Sequence, residues 1–153
     1  TVALTYLPDV ASFEWMWHRV FNAIDAPGFN FDRLAEVPEK NKANLVFQLA
    51  PETGMLQSNF PVLLIWESNQ QESNDSETID LDSGGVQLAI WRQQIALMVE
   101  PLNDQEWFIL QGCEQSLKFW DLCFQFDQRF PGVDPGEIIG TFLTRGLISH
   151  FDI

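Results

Sequence analysis

The chain has 153 residues, 46% of them hydrophobic. That suits one domain, or two small lobes sharing a core, and argues against disorder. Its 22 acidic and 8 basic residues leave a formal net charge of −14, with the cations scattered from Arg19 to Arg145 and forming no stripe. Such a body repels polyanions, so a protein or peptide partner is expected and nucleic acid is not. No apolar run approaches the ~20 residues of a membrane span, so no membrane partner is expected. The chain opens on Thr1 rather than Met, and we expect a fragment or a processed product. Cys113 and Cys123 sit in apolar helical patterns and read as reduced thiols, which points to the cytoplasm.

The spacing of Val10, Phe13, Trp17, Val20, Phe21 and Ile24 predicts a helix over 8–25, stopped by Ala26-Pro27-Gly28. Trp15 points away from that stripe, among Ser12, His18, Arg19 and Asn22. Two readings fit it: a ring stacked on Arg19, or a contact with a partner or a missing domain, the partner site being Trp15, His18 and Arg19. Asn30 is placed to cap a short helix over 31–37, and another turn follows Pro38. Leu45, Phe47 and Leu49 alternate along a strand over 44–50. Pro51 to Gly54 then read as a turn into a paired strand over 55–58, and Phe60 to Asn69 as a short helix. Residues 68–84 carry five acids and no cation and read as a solvated linker.

Beyond it, Val86, Leu88 and Ile90, then Ile95, Leu97 and Val99, alternate as a hairpin turning at 92–94. Asn103 with Glu106 is a capping box, Ser116 starts a second helix, and Asp134-Pro135-Gly136-Glu137 starts a third that Gly146 closes. Leu147 to Phe151 read as a closing strand. The expected fold is therefore α+β. A helical lobe over 1–67 carries a short β-hairpin, the acidic linker spans 68–84, and a winged-helix-like lobe (β-hairpin, three helices, closing strand) spans 85–153, packed as one unit.

Motifs for chemistry are missing: no phosphate loop, no zinc-spaced Cys/His cluster and no nucleophile elbow. Glu14 and His18 are one helical turn apart but lack further ligands by spacing. The reading is a non-enzyme without a cofactor or metal. A winged-helix scaffold can bind DNA through its third helix, but here Asp134 and Glu137 open that helix and only Arg145 opposes them. It can instead add a peptide to its sheet edge. The sheet face bearing Ala89, Trp91, Ala96 and Met98 is a candidate groove floor, with Thr141 and Arg145 on the helix beside it; alternatively that face packs on the first half of the chain.

Tyr6-Leu7-Pro8-Asp9, the run Phe13-Glu14-Trp15-Met16-Trp17-His18, Asp25-Ala26-Pro27 and Phe60-Pro61-Val62 through Ile65-Trp66 carry a family resemblance. With Leu88 to Arg92, Pro101-Leu102 and Arg145 to Ile148, the chain resembles the C-terminal part of a two-domain bacterial family labelled for a DNA-binding domain. The resemblance implies that an N-terminal helical domain, which carries that label, is missing here. It also implies kinship with partner subunits of multinuclear iron oxidative enzymes that modify ribosomally made peptides, as in methanobactin maturation. The expectation is an accessory protein binding such an enzyme and its precursor (leader) peptide, the iron ligands belonging to the enzyme. A DNA-binding regulator and a dimerisation module, the latter suggested by the aromatic helix after Ser116, are the alternatives.

Overall fold

In the computed structural model, which describes residues 6–70 and 84–153, Leu7–Asn22 form the first helix, α1. Val10, Phe13 and Val20 of its apolar stripe are buried, but Phe21 and Ile24 are 58% and 85% exposed. The helix is shorter than its periodicity suggests. Ala23 is already extended, so Ile24 leaves the helical phase. Arg92 ends it by donating to the carbonyls of Val20, Phe21 and Ala23.

A short helix α2 (Phe31–Ala35) follows, capped by the Asn30 side chain at the Arg33 N–H, and then a 3-10 turn over Glu39–Asn44. The remaining elements are β1 (Val46–Leu49), β2 (Thr53–Ser58), α3 (Val62–Gln70), β3 (Val86–Gln93), β4 (Ala96–Pro101), α4 (Asp104–Glu114), α5 (Phe119–Arg129), α6 (Pro135–Arg145) and β5 (Ile148–Asp152). The capping box of Asn103 and Glu106 opens α4, Asp134 caps α6, and Gly146 closes α6 with φ +89°. Ser116 does not start a helix. It takes a left-handed φ of 57° after α4, and α5 begins at Phe119. Apart from its ends, the acidic linker lies outside the described residues.

The fold is α+β, with two antiparallel sheets among the described residues. One has the order β2-β3-β4 and the other pairs β1 with β5. The expected hairpin within 1–67 is therefore not formed: β1 and β2 are consecutive but belong to different sheets. Pro51 lies at the crossing, and the polar groups around it are satisfied by the other end of the chain. The Leu147 carbonyl accepts from the Ala50 N–H and from the Thr53 hydroxyl.

Hairpin, three helices and closing strand follow one another as expected in the second half. The closing strand, however, pairs with β1 rather than with the hairpin. A single winged sheet is thus divided between two places.

The three-stranded sheet is covered on both faces. Leu88 and Ile90 point to one side, where Val10, Phe13 and Val20 of α1 and Val62 and Ile65 of α3 complete a core. Ala89 and Trp91 point to the other, against Ile109, Leu110 and Cys113 of α4 and Ile139, Phe142 and Leu143 of α6. A central strand that is apolar on both sides needs a layer on each. Gly54 marks how closely α1 approaches: a Cβ there would collide with Met16 and Arg19.

Candidate functional site

The expected groove floor is core. Ala89 is fully buried and Trp91 is 1% exposed, with Met98 partly buried beside them; Ala96 alone is exposed. The α4–α6 layer fills the space that a peptide would have needed.

The neighbouring edge is different. Among the described residues, β4 has a strand partner on only one side, β3. The register pairs Gln93 with Ala96 and Trp91 with Met98, and the Leu102 N–H bonds to the Gln87 carbonyl. In an antiparallel ladder with this phase, the N–H groups of Leu97 and Val99 point away from β3. Pro101 has no N–H and ends the usable edge.

The last residue of α6, Arg145, reaches this strand at Glu100. The outer face of α6, Glu137, Gly140, Thr141, Thr144 and Arg145, lines a shallow cleft of about 590 Å3. A second cleft of about 250 Å3, between that face and the start of α4, shares Glu137 and Thr141. The hydroxyls of Thr141 and Thr144 donate back to the carbonyls of Glu137 and Gly140, leaving their methyl groups and the bare Gly140 backbone as the surface. Arg145 ties the helix to the strand. Its Nη2 lies 2.5 Å from Glu100 Oε2 on β4, and its guanidinium sits over the Trp91 ring, 4.7 Å from the centroid.

Thr141 and Arg145 therefore do line one surface, whereas Met98 packs partly buried on the core and Trp91 lies under the Arg145 guanidinium. Sequence reading did not name Glu100, Gly140 or Thr144 for this surface. The available signal was Gly140: a mid-helix glycine costs roughly 1 kcal/mol relative to alanine and calls for a reason.

The other predicted cluster lies across the sheet. Trp15 is 74% exposed and His18 is exposed with it on α1, while Arg19, also exposed, reaches back to β2. Arg19 does not serve as a platform for Trp15. Its Nη2 donates to the Thr53 carbonyl at 3.3 Å, which fastens α1 to β2. Further exposed aromatics, Trp120 and Phe124, stand one turn apart on α5.

Both cysteines are free. Burial pushes the Cys113 thiol up to about 12; burial, then the charge of Asp134, raises that of Cys123. Neither is poised as a nucleophile. Among the described residues no group of three or more His, Cys, Asp or Glu is arranged to hold a metal ion, and no helix is long and apolar enough to cross a membrane.

Fold and site together define an α+β protein with an open sheet edge flanked by a helical groove. Compared with models of known protein families, with characterised proteins and with solved structures, the chain matches none.

Proposed function

We propose that this chain is a non-catalytic recognition protein that takes up an extended peptide along the free edge of β4, against α6. The observation that carries this reading is the pair of outward N–H groups at Leu97 and Val99, on the strand whose Glu100 is tied to Arg145 at the end of the α6 cleft. Main-chain bonds to the edge supply affinity and the clefts select side chains. With a net charge of −14 and Glu137 on the groove, a basic peptide is favoured.

The resemblance in sequence extends the proposal. The peptide is the precursor of a ribosomally made product, and the second partner is its iron-dependent modifying enzyme, docked on the outer side of α1 at Trp15, His18 and Arg19. The two surfaces lie on opposite sides of the three-stranded sheet, so one chain could hold both partners at once. A cytoplasmic location follows from the free thiols and from such a substrate. DNA binding is the weaker alternative, because Arg145, the one cation of α6, is already engaged by Glu100 and Trp91.

The test is hydrogen exchange of the intact protein in the presence of a pool of basic, unstructured peptides. Binding should slow exchange at Leu97 and Val99. Val99→Pro, which removes an outward N–H without breaking the ladder to β3, should abolish that protection while the fold persists. If no peptide protects these amides at micromolar concentration, the reading fails. Trp15→Ala should separately release the enzyme in co-purification.

A second reading has one specific observation behind it. Trp120 and Phe124 are 64% and 55% exposed on α5, so self-association through that helix is the alternative, and a monomer mass by light scattering would remove it.

A further inference from the structure

The groove continues past the end of α6. Thr144 and Arg145 also border a cleft of about 500 Å3, walled by the loop after α1, the tip of the β3–β4 hairpin and the junction of α6 with β5. Glu52 lines this cleft and is only 8% exposed. Its Oε2 accepts from the Ala26 N–H at 3.1 Å. Among the described residues, Oε1 has no hydrogen-bond donor and the carboxylate has no ion-pair partner.

The two cations on the same walls are committed elsewhere. Arg92 is bound to the end of α1 and to Asp25, and Arg145 to Glu100. With Oε1 left without a donor, this mostly covered carboxylate offers a cation an acceptor on the cleft wall. A guanidinium fork would add a second donor to Oε2, which already accepts from Ala26, whereas Oε1 has none. A compact ammonium, which needs a single oxygen, fits better. Phe29, Phe31 and Leu143 supply apolar wall for a methylene stem.

We propose that this cleft is a binding pocket for a primary ammonium on an apolar stem, in the form of a lysine side chain of the bound peptide. Its delivery by a peptide rests on the strand-addition reading above; the pocket itself does not.

Both parts can be tested on the labelled, intact protein. Nα-acetyl-lysine methylamide should shift the Ala26 amide resonance saturably, and the norleucine analogue should not. Glu52→Gln keeps the oxygen that accepts from Ala26 and should weaken lysine amide binding by about tenfold or more. Equal shifts from both amides, or none from either, would overturn the pocket. Should Glu52→Gln not fold, Thr144→Trp at the exposed lip is the control: it should block the shift, and a retained shift counts against the assignment. Lysine amide binding without peptide protection of the β4 edge would sink strand addition and leave the pocket standing. Basic peptides that protect the edge equally with lysine or norleucine would do the reverse.

Discussion

The guanidinium of Arg145 sits over the ring of Trp91, 4.7 Å from its centroid, and Glu100 holds it there from the adjacent strand. Trp91 is therefore the support of the α6 groove and not its floor, and Arg145 fixes the distance between helix and edge strand.

Removing that tie should loosen both. Arg145→Ala is expected to cost about 1–2 kcal/mol, the sum of a partly desolvated cation–π contact and a half-exposed ion pair. Arg145→Lys should recover only part of it. A double-mutant cycle with Glu100→Gln, read by urea unfolding, should give a coupling of about 0.5 kcal/mol that shrinks with added salt.

Arg92 has a different task. Its side chain is 10% exposed and donates to three carbonyls at the end of α1 as well as to Asp25, itself 83% exposed. The ion pair contributes little; the carbonyls matter, since those of Phe21 and Ala23 lose this donor together while Val20 keeps the Ala23 N–H. Arg92→Ala should destabilise by about 2–3 kcal/mol, and Arg92→Lys should not restore it, because one ammonium cannot span those acceptors. Denaturant unfolding measures the loss, and hydrogen exchange should locate it at the last turn of α1.

Gly140 separates stability from binding. A Cβ added there meets nothing within 4 Å, so Gly140→Ala should stabilise α6 by about 0.5–1 kcal/mol. The same methyl intrudes on the cleft. A higher melting temperature with weaker peptide protection of Leu97 and Val99 is the expected pair of results, and unchanged binding would remove Gly140 from the site.

Cys113 predicts a pH dependence. Burial raises its thiol from the ordinary 9.0 to about 12, so the folded protein holds this proton more tightly than the unfolded chain does. The stability it contributes is complete below pH 9.0 and is lost as pH rises toward about 12. Urea midpoints across that window should fall more steeply for the native protein than for Cys113→Ala. Alkylation should reach Cys123, which is partly exposed, before Cys113.

Local signals were legible from the order of residues alone. The box of Asn103 and Glu106, the Asp134-Pro135 start, the Gly146 stop and the alternation of Val86 to Val99 each act within a few residues, where side-chain hydrogen bonds and backbone angles decide the outcome. The outward position of Trp15 followed from helical geometry in the same way.

What covers the second face of β3, and which strand each neighbour joins, depended on contacts far apart in the chain. The apolar pattern of Ala89 and Trp91 suits a groove or a core equally, and only the packing of α4 and α6 made it core. The separation of β1 from β2 has the same origin, since Leu147 supplies the acceptor that draws the chain across near Pro51. Glu52 became a candidate site only when folding buried it beside a cleft bordered by α6. Short-range chemistry is set by neighbours in sequence, but burial is a property of the whole assembled surface, and so the site was decided by the tertiary structure.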